Sequence, residues 1–414
     1  MQKDRIYEKY EVESHAGDAA GDQLVKKSFL IREARITDAP KVQALFNEIY
    51  GGKYPLEFGS NVEILRGEIA DVKHYLWIVT EDASTGVHIG AMMFAIDLNN
   101  RMAKAGGGVV SPEYRKFGLA SNMLKRGVHY LTETSKEVDV LYGTSRTVSE
   151  GPSRMVAEAG FRKMGFFPNA VQIEDIEHLN LDVYLTQRGL DQRRQKPYLF
   201  APFYEIHKIA RKQIGLERAY LVTEREPLKL SGKKLRFEVI QDEKLVIEKF
   251  RLYSEQKRIS NSFFPFHSPN WLLSSEDGGS DVFIWYGGVG KQASILGFRT
   301  DHVNIHDMLD SVAITLQRSG AAYVELLVDA YDYTTQQEAY TAKYIPSAYF
   351  PAMRLANDGL RDDFFVVSRT FQVLDFTSSW VMTENYPYLQ AYMRFYNDLY
   401  IQAMHRTHLS KKKD

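Results

Sequence analysis

Cysteine is absent from this chain of 414 residues, which excludes disulfide frameworks, thiolate zinc sites and cysteine nucleophiles. An excess of charge is missing too. The 52 Lys and Arg residues nearly balance 53 Asp and Glu, so no whole-chain field exists of the kind that draws nucleic acid or anionic membrane. No long apolar run occurs, and Met1-Gln2-Lys3-Asp4-Arg5 leads into a mixed-charge stretch with no apolar core of a secretion signal. These absences point to a cytoplasmic protein that has neither nucleic acid nor membrane as a partner and binds through local sites. A single core rarely extends over this length, so two domains are expected.

The most informative stretch is residues 110–124, VSPEYRKFGLASNML. A β-type run ends at Val109 and Val110, breaks at Pro112 and restarts as a helix with Met123, Leu124, Val128 and Leu131 at helical spacing. Such a junction aims several unpaired backbone N–H groups and the positive end of a helix dipole at one point. Gly118 removes the Cβ where a bulky ligand would approach, Ala120 stays small, and Arg115 and Lys116 add positive charge. The ligand expected there is a pyrophosphate. Just upstream, Gly106-Gly107-Gly108 weakens a strand and suggests a bulge or a close approach by a ligand.

Arg115-Lys116-Phe117-Gly118-Leu119-Ala120 resembles the acyl-CoA-binding signature of the GNAT superfamily of N-acetyltransferases, (Gln/Arg)-x-x-Gly-x-(Gly/Ala). The resemblance extends beyond the loop. Phe29 to Arg35 reads as a first strand, and Thr37-Asp38 with Pro40 as a helix start carrying Val42, Leu45, Phe46 and Ile49 on one face. Val138 to Tyr142 reads as a fifth strand, and Lys163-Met164-Gly165-Phe166-Phe167-Pro168 as the family's closing Gly-Phe element. The resemblance implies an α/β fold with a mixed α+β sheet in the order β-α-β-β-β-α-β-α-β. It also implies acetyl-CoA or another acyl-CoA as co-substrate, with its pyrophosphate on the N–H groups of Lys116 to Ser121 and its pantetheine arm along the strand ending at Val109 and Val110. Cofactor-binding residues are then Val109, Val110, Arg115, Lys116, Phe117, Gly118, Leu119, Ala120 and Ser121. The implied reaction is N-acyl transfer, most simply of acetyl, to an amine on a small molecule or a protein lysine, by direct attack on the thioester.

The acid and base are less clear. Many family members carry a tyrosine four residues before the glycine of the closing Gly-Phe; that position is Phe161, which cannot donate a proton. Tyr142 is the candidate substitute hydroxyl, and Glu150 the candidate base, followed by Asp97. The asparagine often found at the start of that helix is replaced by Ser153 or Arg154. A non-catalytic acyl-CoA sensor or interaction module is the alternative reading.

The second half echoes the first. Phe167-Pro168-Asn169-Ala170 before a strand at Asp182 has a counterpart in Phe350-Pro351-Ala352-Met353 before one at Asp363. Two tandem acyl-CoA N-acyltransferase-like domains are therefore expected: an arm over 1–27, the cofactor-binding domain over 28–188, a linker and helix over 189–216, a degenerate domain over 217–404 and a polar tail over 405–414. The second copy lacks the phosphate loop between Ser294 and His302 and should bind acyl-CoA poorly or not at all. Gly287-Gly288-Val289-Gly290-Lys291 is not a nucleotide loop, since Gln292 follows the lysine and the glycine spacing is wrong. His302 and His306 offer metal-ligand spacing without a third ligand, and no metal is expected.

Overall fold

The structure, a computed structural model, describes residues 5–18, 21–223, 228, 231–260, 263–301 and 303–402, with the backbone alone over 13–18 and 21–25. His302 and the polar tail 405–414 lie outside these residues. The chain divides into two compact units, one of Met1–Thr144, Gly151–Phe161 and Val183–Arg188, the other of Ser145–Glu150, Arg162–Asp182 and Gly189–Asp414.

The first half runs β1 (Tyr7–Asp18), β2 (Gly21–Glu33), α1 (Ala39–Tyr50), α2 (Val62–Ala70), β3 (Tyr75–Asp82), β4 (His88–Asp97), β5 (Met102–Val110), α3 (Leu119–His129), β6 (Val140–Arg146), α4 (Glu150–Glu158), β7 (Arg162–Gln172) and β8 (Ile176–Leu185). After α5 (Gln187–Asp191), β9 (Tyr198–Leu199), α6 (Ala201–Ile214) and β10 (Tyr220–Leu221), the second half continues with β11 (Phe237–Ile240), α7 (Glu243–Glu255), β12 (Trp271–Ser275), β13 (Ser280–Gly287) and β14 (Gln292–Thr300). It ends with α8 (Ile305–Arg318), β15 (Tyr323–Asp329), α9 (Tyr333–Thr341), β16 (Ile345–Leu355), β17 (Arg361–Thr370) and α10 (Tyr386–Tyr396). This is the mixed α/β architecture expected, and part of the stretch read as an arm is strand β1, paired antiparallel with β2.

In the first unit, β1 to β5 are neighbours in chain order and antiparallel, and β6 joins β5 in parallel. The helix connecting β5 to β6 makes that parallel pairing possible, since a hairpin cannot. One face packs Phe29, Ile78, Phe94 and Leu141 against Leu119, Met123, Leu124 and Val128 of α3. Small Gly127 lets α3 approach: a Cβ there would lie 2.2 Å from the Phe94 ring.

In the second unit, β12, β13 and β14 are antiparallel neighbours, β15 joins β14 in parallel, and β17 and β16 follow. Strand β7 pairs with β16, where a Cβ on Gly165 would meet Ala348 Cβ at 2.0 Å. That close approach requires the glycine of the Gly-Phe pair. Residues read as linker are firmly held, with Arg193 buried against Asp363 at 2.7 Å and Arg194 bonded to Asp362 and Asp358.

Candidate functional site

Strand β5 carries the irregularity that its three glycines announce. Ala91 faces Val109 and Met93 faces Gly106, so Gly107 and Gly108 together oppose Met92. This is a β-bulge. Gly107 has φ +59°, and a Cβ on it would lie 3.2 Å from the Phe58 ring. The left-handed conformation therefore favours glycine, and a Cβ would press on the Phe58 ring.

On its other side β5 pairs with β6 only through Met102, Ala103 and Lys104 against Val140, Leu141 and Tyr142. Among the described residues no strand pairs with that edge of β5 beyond this point. Ser111 N–H donates to Ile89 O at 2.9 Å on the β4 side. Alternation then turns the N–H and C=O of Val110 toward the open edge. Arg115 Nε donates to Val110 O there at 3.4 Å.

A short 3-10 helix, Pro112–Phe117, leads to Gly118 at φ +68° and ψ 18°, with nothing within 4 Å of the position a Cβ would take. Asn122 N–H donates to Gly118 O at 3.0 Å, so the N–H groups of Leu119, Ala120 and Ser121 belong to the helix's unsatisfied first turn. Arg115 and Lys116 are exposed beside them. The turn is anchored from behind. Tyr114 Oη donates to Asp82 at 3.1 Å, and the Phe117 ring lies 5.4 Å from Phe29. Lys27 Nζ sits 4.4 Å from the Tyr114 ring centre and 5.0 Å from that of Phe117, a third cation that no local pattern announced. Ser121 Oγ donates to Glu158 at 2.9 Å, and Lys125 lies 3.8 Å from the same carboxylate.

The catalytic candidates lie on different elements. Tyr142 is buried on β6 opposite Lys104, whose Nζ is 5.9 Å from its ring centre. Glu150 is exposed at the first residue of α4 and is grouped with the second unit, whereas Tyr142 belongs to the first. Asp97 accepts from Asn100 N at 3.1 Å and Nδ2 at 2.7 Å, closing the β4–β5 turn. Phe161 is core, 5.8 Å from the Tyr184 ring, and Ser153 is fully buried.

Two carboxylates not singled out by sequence lie on the helices α1 and α2. Glu48 accepts from Ser111 Oγ at 3.2 Å, immediately after β5. Glu68 is pushed up to about 7 by burial, countered by the Trp77 indole N–H donating to it at 3.2 Å. The rings of Tyr50, Tyr54, Phe58 and Trp77 link these regions at successive centroid distances of 4.8, 5.4 and 5.1 Å. Such a chain of rings is invisible locally because Trp77 is contributed by another element. Asp38, Glu81 and His88 bring metal-ligand atoms within 4.8 Å of one another. Arg32 already fills that space, bonded to Asp38 at 2.7 Å and to Glu81. Burial would raise the Asp38 carboxyl, but its bonds to His88 and Arg32 hold it well below the usual range.

No protein-family profile matches the chain, and no curated protein matches it. Solved structures do. Spermidine N-acetyltransferase from Vibrio cholerae, in complex with CoA and spermine, is 21% identical and matches 38% of this chain and 95% of its own, with TM-score 0.33. An acetyltransferase of the GNAT family from Streptococcus pneumoniae is 20% identical over 38% of this chain and 98% of its own, TM-score 0.33. Ribosomal-protein-S5-alanine acetyltransferase from Vibrio fischeri is 15% identical over 38% and 93%, TM-score 0.34. Each of these three matches spans 38% of this chain and nearly all of the other.

Proposed function

We propose that the first unit binds an acyl-CoA and transfers its acyl group, most simply acetyl, to an amine. One observation carries this reading: the open edge of bulged β5 runs directly into the unsatisfied first turn of α3, beside Arg115 and Lys116. An extended pantetheine arm can bond to Val110 as a strand would, while a pyrophosphate takes the N–H groups of Gly118 to Ser121. The amine nitrogen attacks the thioester carbonyl, whose developing oxyanion a β5 N–H stabilises. The new C–N bond forms as C–S breaks; the nitrogen's proton passes to a base and the thiolate takes up another. Glu150 and Tyr142 remain the candidates from sequence, and Glu68, whose carboxyl is pushed up to about 7 by burial, joins them.

The second unit is read as a degenerate copy of the same domain. From β3 to β8 and from β12 to β17 the chain runs twice through three strands, helix, strand, helix and hairpin. Each Phe-Pro pair is followed by a left-handed residue, Asn169 at φ 54° and Ala352 at φ 55°. The burial of Phe161 and Tyr142 favours one alternative, an acyl-CoA sensor without turnover. Thiol release from acetyl-CoA separates the two. An enzyme releases CoA faster when an amine is added, whereas a sensor binds acetyl-CoA at an unchanged rate of release.

A further inference from the structure

The segment 371–382, between β17 and α10 in the second unit, is neither helix nor strand and is tied down by specific bonds. Asn169 Nδ2 donates to Thr370 Oγ1 at 3.2 Å and to Val373 O at 3.0 Å, and Trp380 N–H donates to Thr147 O at 2.6 Å. His178 is the central fastening. Its ring is buried, with the Phe376 ring centre 4.6 Å away. Asn169 N–H donates to Nδ1 at 2.8 Å, so Nδ1 carries no proton; Nε2 therefore carries it and donates to Asp375 O at 2.8 Å. A second proton on the ring would set N–H against N–H at Asn169. Because the ring is rigid, rotating Nδ1 away from Asn169 also takes Nε2 off Asp375 O and disturbs the contact with Phe376.

We propose that His178 is an acid-sensitive clasp: a proton on Nδ1 breaks its hold on Asp375 and releases the segment 371–382, with the Trp380 bond to Thr147. Thr147 precedes Glu150 on the same loop, so release reaches the stretch that carries a candidate base. The charged groups beside the ring are Glu177, bonded by Arg146 Nε at 2.6 Å, and Asp375, whose carboxylate accepts from Thr377 N–H at 2.9 Å and Oγ1 at 2.8 Å. Asn169, Phe166, Thr147 and Phe376, from the other elements against it, are uncharged. Burial pushes the imidazole below its ordinary value, against the pull of the Asp375 carbonyl and both carboxylates. The closed form is therefore favoured above about pH 6.5, where a free imidazole is neutral, and loses ground as pH falls below it. Opening one segment costs less than unfolding the core, so the clasp responds first.

Hydrogen exchange of the full chain, read by mass spectrometry and corrected for the intrinsic effect of pH on exchange, tests this without any acyl-CoA and so independently of the transferase reading. From about pH 7.5 to about pH 5.5, peptides spanning 371–382 should lose about tenfold in protection, as one imidazole that titrates at about 6.5 only when released requires. Peptides of β15, in the same unit, should keep theirs. His178→Gln keeps an amide donor for Asp375 O and takes up no proton, so it should hold the segment equally at both pH values. Unchanged protection in the parent, the parent's loss repeated in His178→Gln, or a loss shared by β15 overturns the proposal. Nitrogen spectra of the parent's imidazoles give a check that needs no variant: His178 should carry its proton on Nε2 at neutral pH, and a proton on Nδ1 overturns the proposal.

Discussion

The helix entrances at α3 and α8 follow the same kind of bulged strand, yet one is open and the other is filled by the protein itself. In the second unit Phe283 faces Gly297 and Ile284 faces Ile295, leaving Leu296 as the extra residue, and β14 pairs with β15 only from Gln292 to Ile295. The edge freed by this parting is taken by the chain's own backbone. Phe298 N–H donates to Ser260 O at 3.1 Å and Ser260 N–H returns a bond at 2.8 Å. At the helix start, Asn304 accepts from Asp307 N–H at 2.9 Å and Glu338 from His306 N–H at 3.0 Å. A carboxylate therefore stands where an anion would. In the first unit, among the described residues, no strand takes the edge of β5 beyond Lys104, where Arg115 Nε reaches Val110 O, and Arg115, Lys116 and Lys27 stand nearby. The difference teaches that a strand-to-helix junction binds an external anion only when the fold supplies no anion of its own.

Exchanging the properties of the two entrances should break this contrast. A clear effect is expected from Glu338→Ala, which leaves a partly buried N–H of α8 without its acceptor. It should destabilise the protein by about 1–3 kcal/mol, read as a lower Tm that phosphate partly restores and that Glu338→Gln lowers less. Next comes the open entrance. Replacing Arg115 and Lys116 together by Gln should weaken acetyl-CoA about tenfold with little change in Tm, because charge-assisted bonds to phosphate are lost from exposed side chains. The loss should shrink at high salt.

Ser260→Pro removes the N–H that bonds Phe298 O and should cost about 1 kcal/mol in urea unfolding, without creating a second acetyl-CoA site while Glu338 remains. A pH-dependent effect concerns Glu68, whose carboxyl binds its proton more tightly folded than unfolded. The native state then holds the extra proton, so stability contributed at low pH is lost as pH rises from the usual carboxylate range through about 7. Thermal melts across that range should slope downward with pH, and Glu68→Gln should flatten the slope. An unchanged slope would place the titration elsewhere.

The fold and the strand-to-helix turn before α3 were legible because their signals are local. Three consecutive glycines can only weaken a strand, and they form the bulge. Pro112 ends the strand, Gly118 adopts the left-handed conformation, and Met123, Leu124 and Val128 fall on one helix face. The packing of Phe58 and Glu68 on Trp77 was not legible, because these residues meet only through pairings between separate elements. Lys27 was hidden for the same reason, since it reaches Tyr114 and Phe117 from β2. Asp97 illustrates the converse: a carboxylate of the right type, committed to its own turn. The plugging of α8 could be anticipated only as a missing motif. The carboxylate that fills it comes from α9, outside any window around the helix start.

The most direct test of the central claim is calorimetric titration of the full chain with acetyl-CoA, beside a Gly118→Val variant. A side chain at Gly118 enters no protein neighbour but would occupy the approach of the proposed ligand, and it strains a left-handed backbone. One molecule bound per chain, and none in a variant that still unfolds cooperatively, is the result expected. Two molecules per chain, or undiminished affinity in the variant, would contradict the assignment of the open entrance as the acyl-CoA site.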